Sequence, residues 1–71
     1  MLKTISGKRI ADNIRAERNR ADLTQEEVAT KLKVSTKTYM SYESDAKGIR
    51  ATKLYLLSNI LGCSIDAFYM Q

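Results

Sequence analysis

Apolar residues along this chain recur at three- and four-residue spacing, and nowhere in the strict alternation of a half-buried strand. Ile10 and Ile14 lie one helical turn apart, behind a serine, Ser6, suited to an N-cap. Ile5 stands across that cap from Ile10 as a hydrophobic staple. The spacing predicts a first helix from about Ser6 to Arg20. Thr24-Gln25-Glu26-Glu27 has the form of a capping box and leads into Val28, Ala29 and Leu32, so a second short helix opens there. It ends before Lys33-Val34-Ser35. Ser35 caps a third helix, from Thr36 to Ser44, with Tyr39 and Tyr42 on one face. After a loop from Ser44 to Arg50, a fourth helix from Ala51 to Leu61 turns Leu54, Leu57, Ile60 and Leu61 inward. Gly62 stops it in a left-handed conformation. Ser64 caps a short fifth helix carrying Ile65 and Phe68.

Helices this short are unstable alone and must pack on one another. With 71 residues, no proline and three glycines, the expectation is one all-α domain, a compact five-helix cluster spanning 1–71 with its core at about 6–69.

The segment from 25 to 44 narrows the function. Two short helices joined by a three-residue turn cannot run antiparallel; they cross steeply, as in a helix-turn-helix. Such a crossing needs a small residue at the contact, where Ala29 stands. It also needs apolar residues in the turn and on the inner face, supplied by Val34, Tyr39 and Tyr42.

The run Leu23-Thr24-Gln25-Glu26-Glu27-Val28-Ala29, with Leu32, Val34-Ser35, Thr38-Tyr39 and Tyr42-Glu43, resembles the Xre/Cro pattern of phage repressors. The tail from Leu61 to Phe68 is similar to that family's closing segment, and the likeness covers about residues 7 to 69. The resemblance implies a lambda-repressor-like DNA-binding domain whose third helix lies in the major groove. It implies base contacts from Thr36, Lys37 and Ser41, with Met40 either meeting a thymine methyl or flanking the groove. Lys37 has two readings, donor to a guanine edge or phosphate contact. Gln25, first in the second helix, is implied as a phosphate contact through its side chain and the helix-end N–H groups. Ser35, Ser44 and Lys47 are further phosphate candidates, which set register without reading sequence. Arg18 and Glu43 match positions that form an ion pair in many phage repressors, although Arg18 also reads as one more solvated member of a basic helix.

Several positions depart from the pattern. Lys33 stands where the family usually has glycine; a left-handed lysine there bears a strain of roughly 1 kcal/mol. Asp22 and Asp45 also occupy frequent glycine positions. Tyr39 replaces a branched aliphatic residue, and its hydroxyl is expected to reach water or a phosphate, leaving that corner of the core more open. The loop after Ser44 lacks the family's frequent proline.

Charge supports a polyanionic partner. The chain carries +4, and the first 20 residues hold that whole surplus in Lys3, Lys8, Arg9, Arg15, Arg18 and Arg20 against Asp12 and Glu17. Other classes fit poorly. There is no histidine, no phosphate-binding glycine loop and no metal-ligand spacing, so neither enzyme nor cofactor protein is expected. Cys63, the single cysteine, reads as a small apolar filler in a reducing compartment. The leader is too short for a signal peptide and no apolar run spans a membrane, so the expected location is the cytoplasm of a bacterial or phage-infected cell, at the nucleoid. The expected partners are double-stranded DNA and a second copy of the chain, with the loop, the fourth helix and the C-terminal residues as the contact, Tyr55, Tyr69 and Met70 among them. The alternative is a protein-interaction module on the same fold, such as an antitoxin or anti-repressor.

Overall fold

A computed structural model describes residues 6–70; Ile5, and with it the expected staple, lies outside them. The Ser6 hydroxyl accepts from the Arg9 N–H at 3.1 Å and starts α1, Gly7–Arg20. The capping box of α2, Gln25–Leu32, is complete: the Glu27 N–H meets Thr24 Oγ1 at 3.0 Å and the Thr24 N–H meets Glu27 Oε1 at 2.8 Å. Ser35 caps α3, Thr36–Tyr42, by accepting from the Thr38 N–H at 3.0 Å. After a 3-10 turn at Ala46–Gly48 comes α4, Ala51–Leu61. The described residues form no strand.

Three helices end the same way. Asp22, Lys33 and Gly62 take φ of 60°, 63° and 70°. Each N–H turns back to a carbonyl of the last turn, and the next residue's N–H reaches the carbonyl five positions earlier: Leu23 to Arg18, Val34 to Ala29, Cys63 to Ser58. This paired closure is the Schellman motif, and its usual apolar contact is present, because Leu23, Val34 and Cys63 are all half-buried against the core. Cys63 thus has a structural place, where burial pushes its thiol up from the ordinary value and disfavours the thiolate. Asp45 differs from the other glycine-like positions. Its φ is −159°, extended, and its carboxylate accepts the Lys47 N–H at 3.0 Å.

Two boundaries depart from the pattern reading. α3 stops at Tyr42 rather than Ser44, because the Ser44 N–H shifts to an i→i−3 bond with the Ser41 carbonyl and Asp45 takes extended backbone. The expected fifth helix is a 3-10 segment at Ile65–Tyr69, so the described residues hold four α-helices. The segment is five residues long and closes with an i→i−3 bond from the Ala67 N–H to the Ser64 carbonyl, the 3-10 pattern common in such short pieces. Ser64 makes no side-chain cap. The segment is held from outside instead: Asn13 of α1 donates to the carbonyls of Phe68 at 2.9 Å and Met70 at 2.8 Å.

The core gathers Ala11 and Ile14 from α1, Val28, Ala29 and Leu32 from α2, Tyr39, Ala46, then Leu54, Leu57 and Leu61 from α4, and Phe68. Ile60 and Ile65, also expected inside, are half-buried against it. α2 packs on α3 and α4, while α1 packs on both 3-10 segments. The approach of α1 to the first of these is very close. A Cβ on Gly7 would run into Asp45 Oδ1 and lie 2.7 Å from the Lys47 backbone nitrogen.

Candidate nucleic-acid interface

The exposed side of α3 is built from residues one turn apart. Thr36 and Lys37 lead, Met40 and Ser41 follow, and Ser44 lies just past the helix end. Thr36 is half-buried, whereas Lys37, Met40, Ser41 and Ser44 are exposed. No acidic residue interrupts that face, and no ion pair among the described residues engages Lys37.

The hydroxyls are already committed in specific ways. Ser41 Oγ donates to the Thr38 carbonyl at 2.5 Å, so toward an outside group it acts as an acceptor. Ser35 Oγ accepts the Thr38 N–H and donates to Thr38 Oγ1 at 2.9 Å. The exposed Thr38 hydroxyl therefore keeps its own proton for an outside acceptor. Thr38 was not among the sequence-derived contacts; its place one turn after a serine N-cap was the available signal. Ser44 Oγ reaches the Met40 carbonyl at 3.4 Å, a weak contact easily exchanged. Lys47 lies in the 3-10 turn, exposed, its backbone N–H taken by Asp45.

Behind this face sits a buried polar hub. Glu43, immediately after α3, is 4% exposed and Arg18 of α1 is 13% exposed. Arg18 Nε donates to Glu43 Oε2 at 2.6 Å and Nη2 to Oε1 at 3.3 Å, a bidentate fork. Arg18 Nη1 also reaches the Leu23 carbonyl at 2.9 Å. The Tyr39 hydroxyl donates to Glu43 Oε2, and Gln25 Nε2 donates to Oε1 at 3.1 Å. Tyr39 is fully buried, which corrects the expectation of an open corner. Its hydroxyl finds its partner in a carboxylate four residues later, just past the end of α3. Tyr42 packs edge-on against its ring at 6.3 Å between centroids.

Burial alone would raise the Glu43 carboxyl. The hydrogen bonds from Arg18, Tyr39 and Gln25, with the Arg18 charge, outweigh it and hold Glu43 below the usual carboxylate value. Burial, together with that carboxylate, drives the Tyr39 phenol far upward. The hub is thus an ionised acid with four donors, and no buried side-chain polar atom among the described residues lacks a partner.

Cations distribute differently from the sequence expectation. Much of the α1 surplus is consumed within the fold: Lys8 and Arg15 pair with Asp12, Arg18 with Glu43, and Arg20 with Glu17. Arg20 also donates to the Leu61 carbonyl at the end of α4. The cations without ion pairs among the described residues are Arg9 and a series from α2 onward: Lys31, Lys33, Lys37, Lys47, Arg50 and Lys53. The available positive charge thus lies largely on and after the two-helix motif.

A helix-turn-helix family model matches residues 14–68. No curated protein matches the chain. Among solved structures, hydroxypropylphosphonic acid epoxidase from S. wedmorenis superposes with a TM-score of 0.85 at 19% identity, covering 96% of this chain and 36% of that one. The same enzyme in complex with fosfomycin gives 0.85 at 22% identity, with 96% and 36% covered. A cobalt form of HppE bound to Tris buffer gives 0.83 at 23% identity, with 96% and 38% covered. The chain therefore spans little more than a third of the structures it resembles, and the likeness is one of fold.

Proposed function

The chain belongs to the Xre/Cro-like helix-turn-helix family, and on that premise we propose that it is a sequence-specific double-stranded DNA-binding regulator, a repressor, that lays α3 in the major groove. The observation carrying this reading is the α3 face itself: polar, free of acids, headed by a Lys37 that no ion pair among the described residues engages, and locked to α1 and α2 through Glu43. A rigid element bearing a few free donors and acceptors is what base-edge recognition requires. In this reading Thr36, Lys37, Met40 and Ser41 meet bases. Gln25, Ser35, Ser44 and Lys47 meet phosphates, with the Thr38 hydroxyl beside Ser35.

One such domain covers half an operator, so the protein acts as a dimer on an inverted repeat with half-sites one turn apart. The contact is the apolar patch on α4, where Ala51, Thr52, Tyr55 and Leu56 line a shallow groove, with Tyr69 and Met70 exposed in the segment that follows α4. The exposure of Tyr55, Tyr69 and Met70, joined by Leu56, also favours the second reading, a protein-interaction module such as an antitoxin. In either reading the protein is a binding protein and not an enzyme, working in the cytoplasm. Among the described residues no helix is long and apolar enough to cross a membrane. Binding of purified protein to random duplex DNA pools separates the readings: an enriched sequence supports the regulator, and retention of none favours the protein partner.

A further inference from the structure

The Glu43 carboxylate joins two places that DNA binding would use: the start of α2, where Gln25 stands, and the end of α3. Gln25 Nε2 donates one of its two protons to Glu43 Oε1. The amide is planar, so with one N–H directed at the carboxylate the other points away from it. The reverse orientation would set the amide oxygen against a carboxylate oxygen, two acceptors facing each other. The charge of Glu43 therefore selects one of two otherwise similar amide orientations. Arg18 and Tyr39 in turn fix the carboxylate.

We propose that Glu43 is a positioning residue for DNA binding, holding the Gln25 amide so that its second N–H is presented to a phosphate at the start of α2. This rests on the reading of Gln25 as a phosphate contact. A free glutamine loses rotamer freedom when it binds; here that ordering is met on folding, and the phosphate receives a donor already in place. The same carboxylate holds α3, so backbone docking and the pose of the reading helix share one support.

A double-mutant cycle tests this, read as affinity for a short random-sequence duplex at a temperature where every variant is folded. The perturbation is Arg18→Met with Glu43→Leu, which replaces both charges by apolar groups of similar size and strands neither. Gln25→Ala alone should lower affinity about tenfold. The paired replacement should cost about fivefold more in the otherwise unaltered chain than when Gln25 is already alanine, because any loss through the pose of α3 is common to both backgrounds. Equal losses in both backgrounds would overturn the proposal while leaving the phosphate contact standing. No loss from Gln25→Ala would overturn the phosphate reading and the proposal with it. Should the paired variant not fold, the Gln25 side-chain amide protons of the unaltered protein decide by NMR. One proton protected from exchange in the free protein, and the other shifted by the duplex, is the expected result; two protons exchanging alike would overturn it.

Discussion

Replacing Glu43 by alanine perturbs more of this molecule than any other single charge change. It removes the acceptor of two Arg18 bonds, of the Tyr39 hydroxyl and of the Gln25 amide, at a residue 4% exposed. Arg18 would remain, 13% exposed, with the Leu23 carbonyl as its one polar partner in the fold. Breaking a buried pair from one side typically costs about 3–5 kcal/mol, because the remaining charge is stranded. A domain of this length has roughly 4–10 kcal/mol of total stability, so the loss takes about three-tenths of it or more. For domains of this size, 1 kcal/mol moves Tm by roughly 4–8 °C, so Tm should fall by at least about 12 °C. Thermal unfolding followed by far-UV circular dichroism at neutral pH reads this directly. Glu26→Ala is the matched control, an exposed acid outside the ion pairs among the described residues, and should cost under about 1 kcal/mol. A Glu43→Ala protein melting within about 4 °C of the unaltered one would refute the hub as the fold's polar anchor.

Other perturbations follow from the same geometry. Glu43 is held below its unfolded carboxylate value, so its contribution is fully present above about pH 4.3 and lost as pH falls through the folded value. Glu43→Gln should therefore lack part of the acid-side fall in Tm; a stability difference from the unaltered protein that stays constant into acid would contradict this. Lys33→Gly should raise stability by about 0.5–1 kcal/mol, since a left-handed lysine becomes a left-handed glycine, and a lowered Tm would deny the strain. Gly7→Ala, ordinarily favourable within a helix, should here cost about 1–3 kcal/mol because its Cβ meets the Lys47 backbone; a stabilised variant would show that the loop yields freely. Lys37→Ala should weaken specific DNA binding by roughly 1–3 kcal/mol and relax preference at one base position, whereas an equal loss on every sequence would make Lys37 a phosphate contact.

The features legible in the sequence were those governed by local hydrogen bonding. Ser6, Thr24 and Ser35 cap because a side-chain oxygen two or three residues before an unpaired N–H needs no tertiary help. Gly62 and Lys33 close helices for equally local reasons. Arg18 and Glu43 came together through resemblance, since their separation in sequence says nothing of contact. What escaped was set by packing. The Tyr39 hydroxyl finds Glu43 only because the tyrosine is driven inward; its residue type alone suggested water or phosphate. Asn13 reads as an ordinary polar helix residue until the C-terminal carbonyls arrive beside it. Gly7 looks like a weak helix position, yet it is where α1 and the loop meet too closely for a Cβ. The basic surplus of α1 is plain in the sequence, but its pairing within the fold depends on which side chains the helix turns bring together.

The central claim is that α3 reads a DNA sequence, and the most direct test is selection of purified protein against a random duplex pool with sequencing of what is retained. The account predicts an enriched inverted repeat with half-sites about one helical turn apart. A pool that stays random, with retention vanishing as salt rises, would contradict it: the free cations would then grip only phosphates, and the exposed Tyr55 and Leu56 patch would become the functional surface.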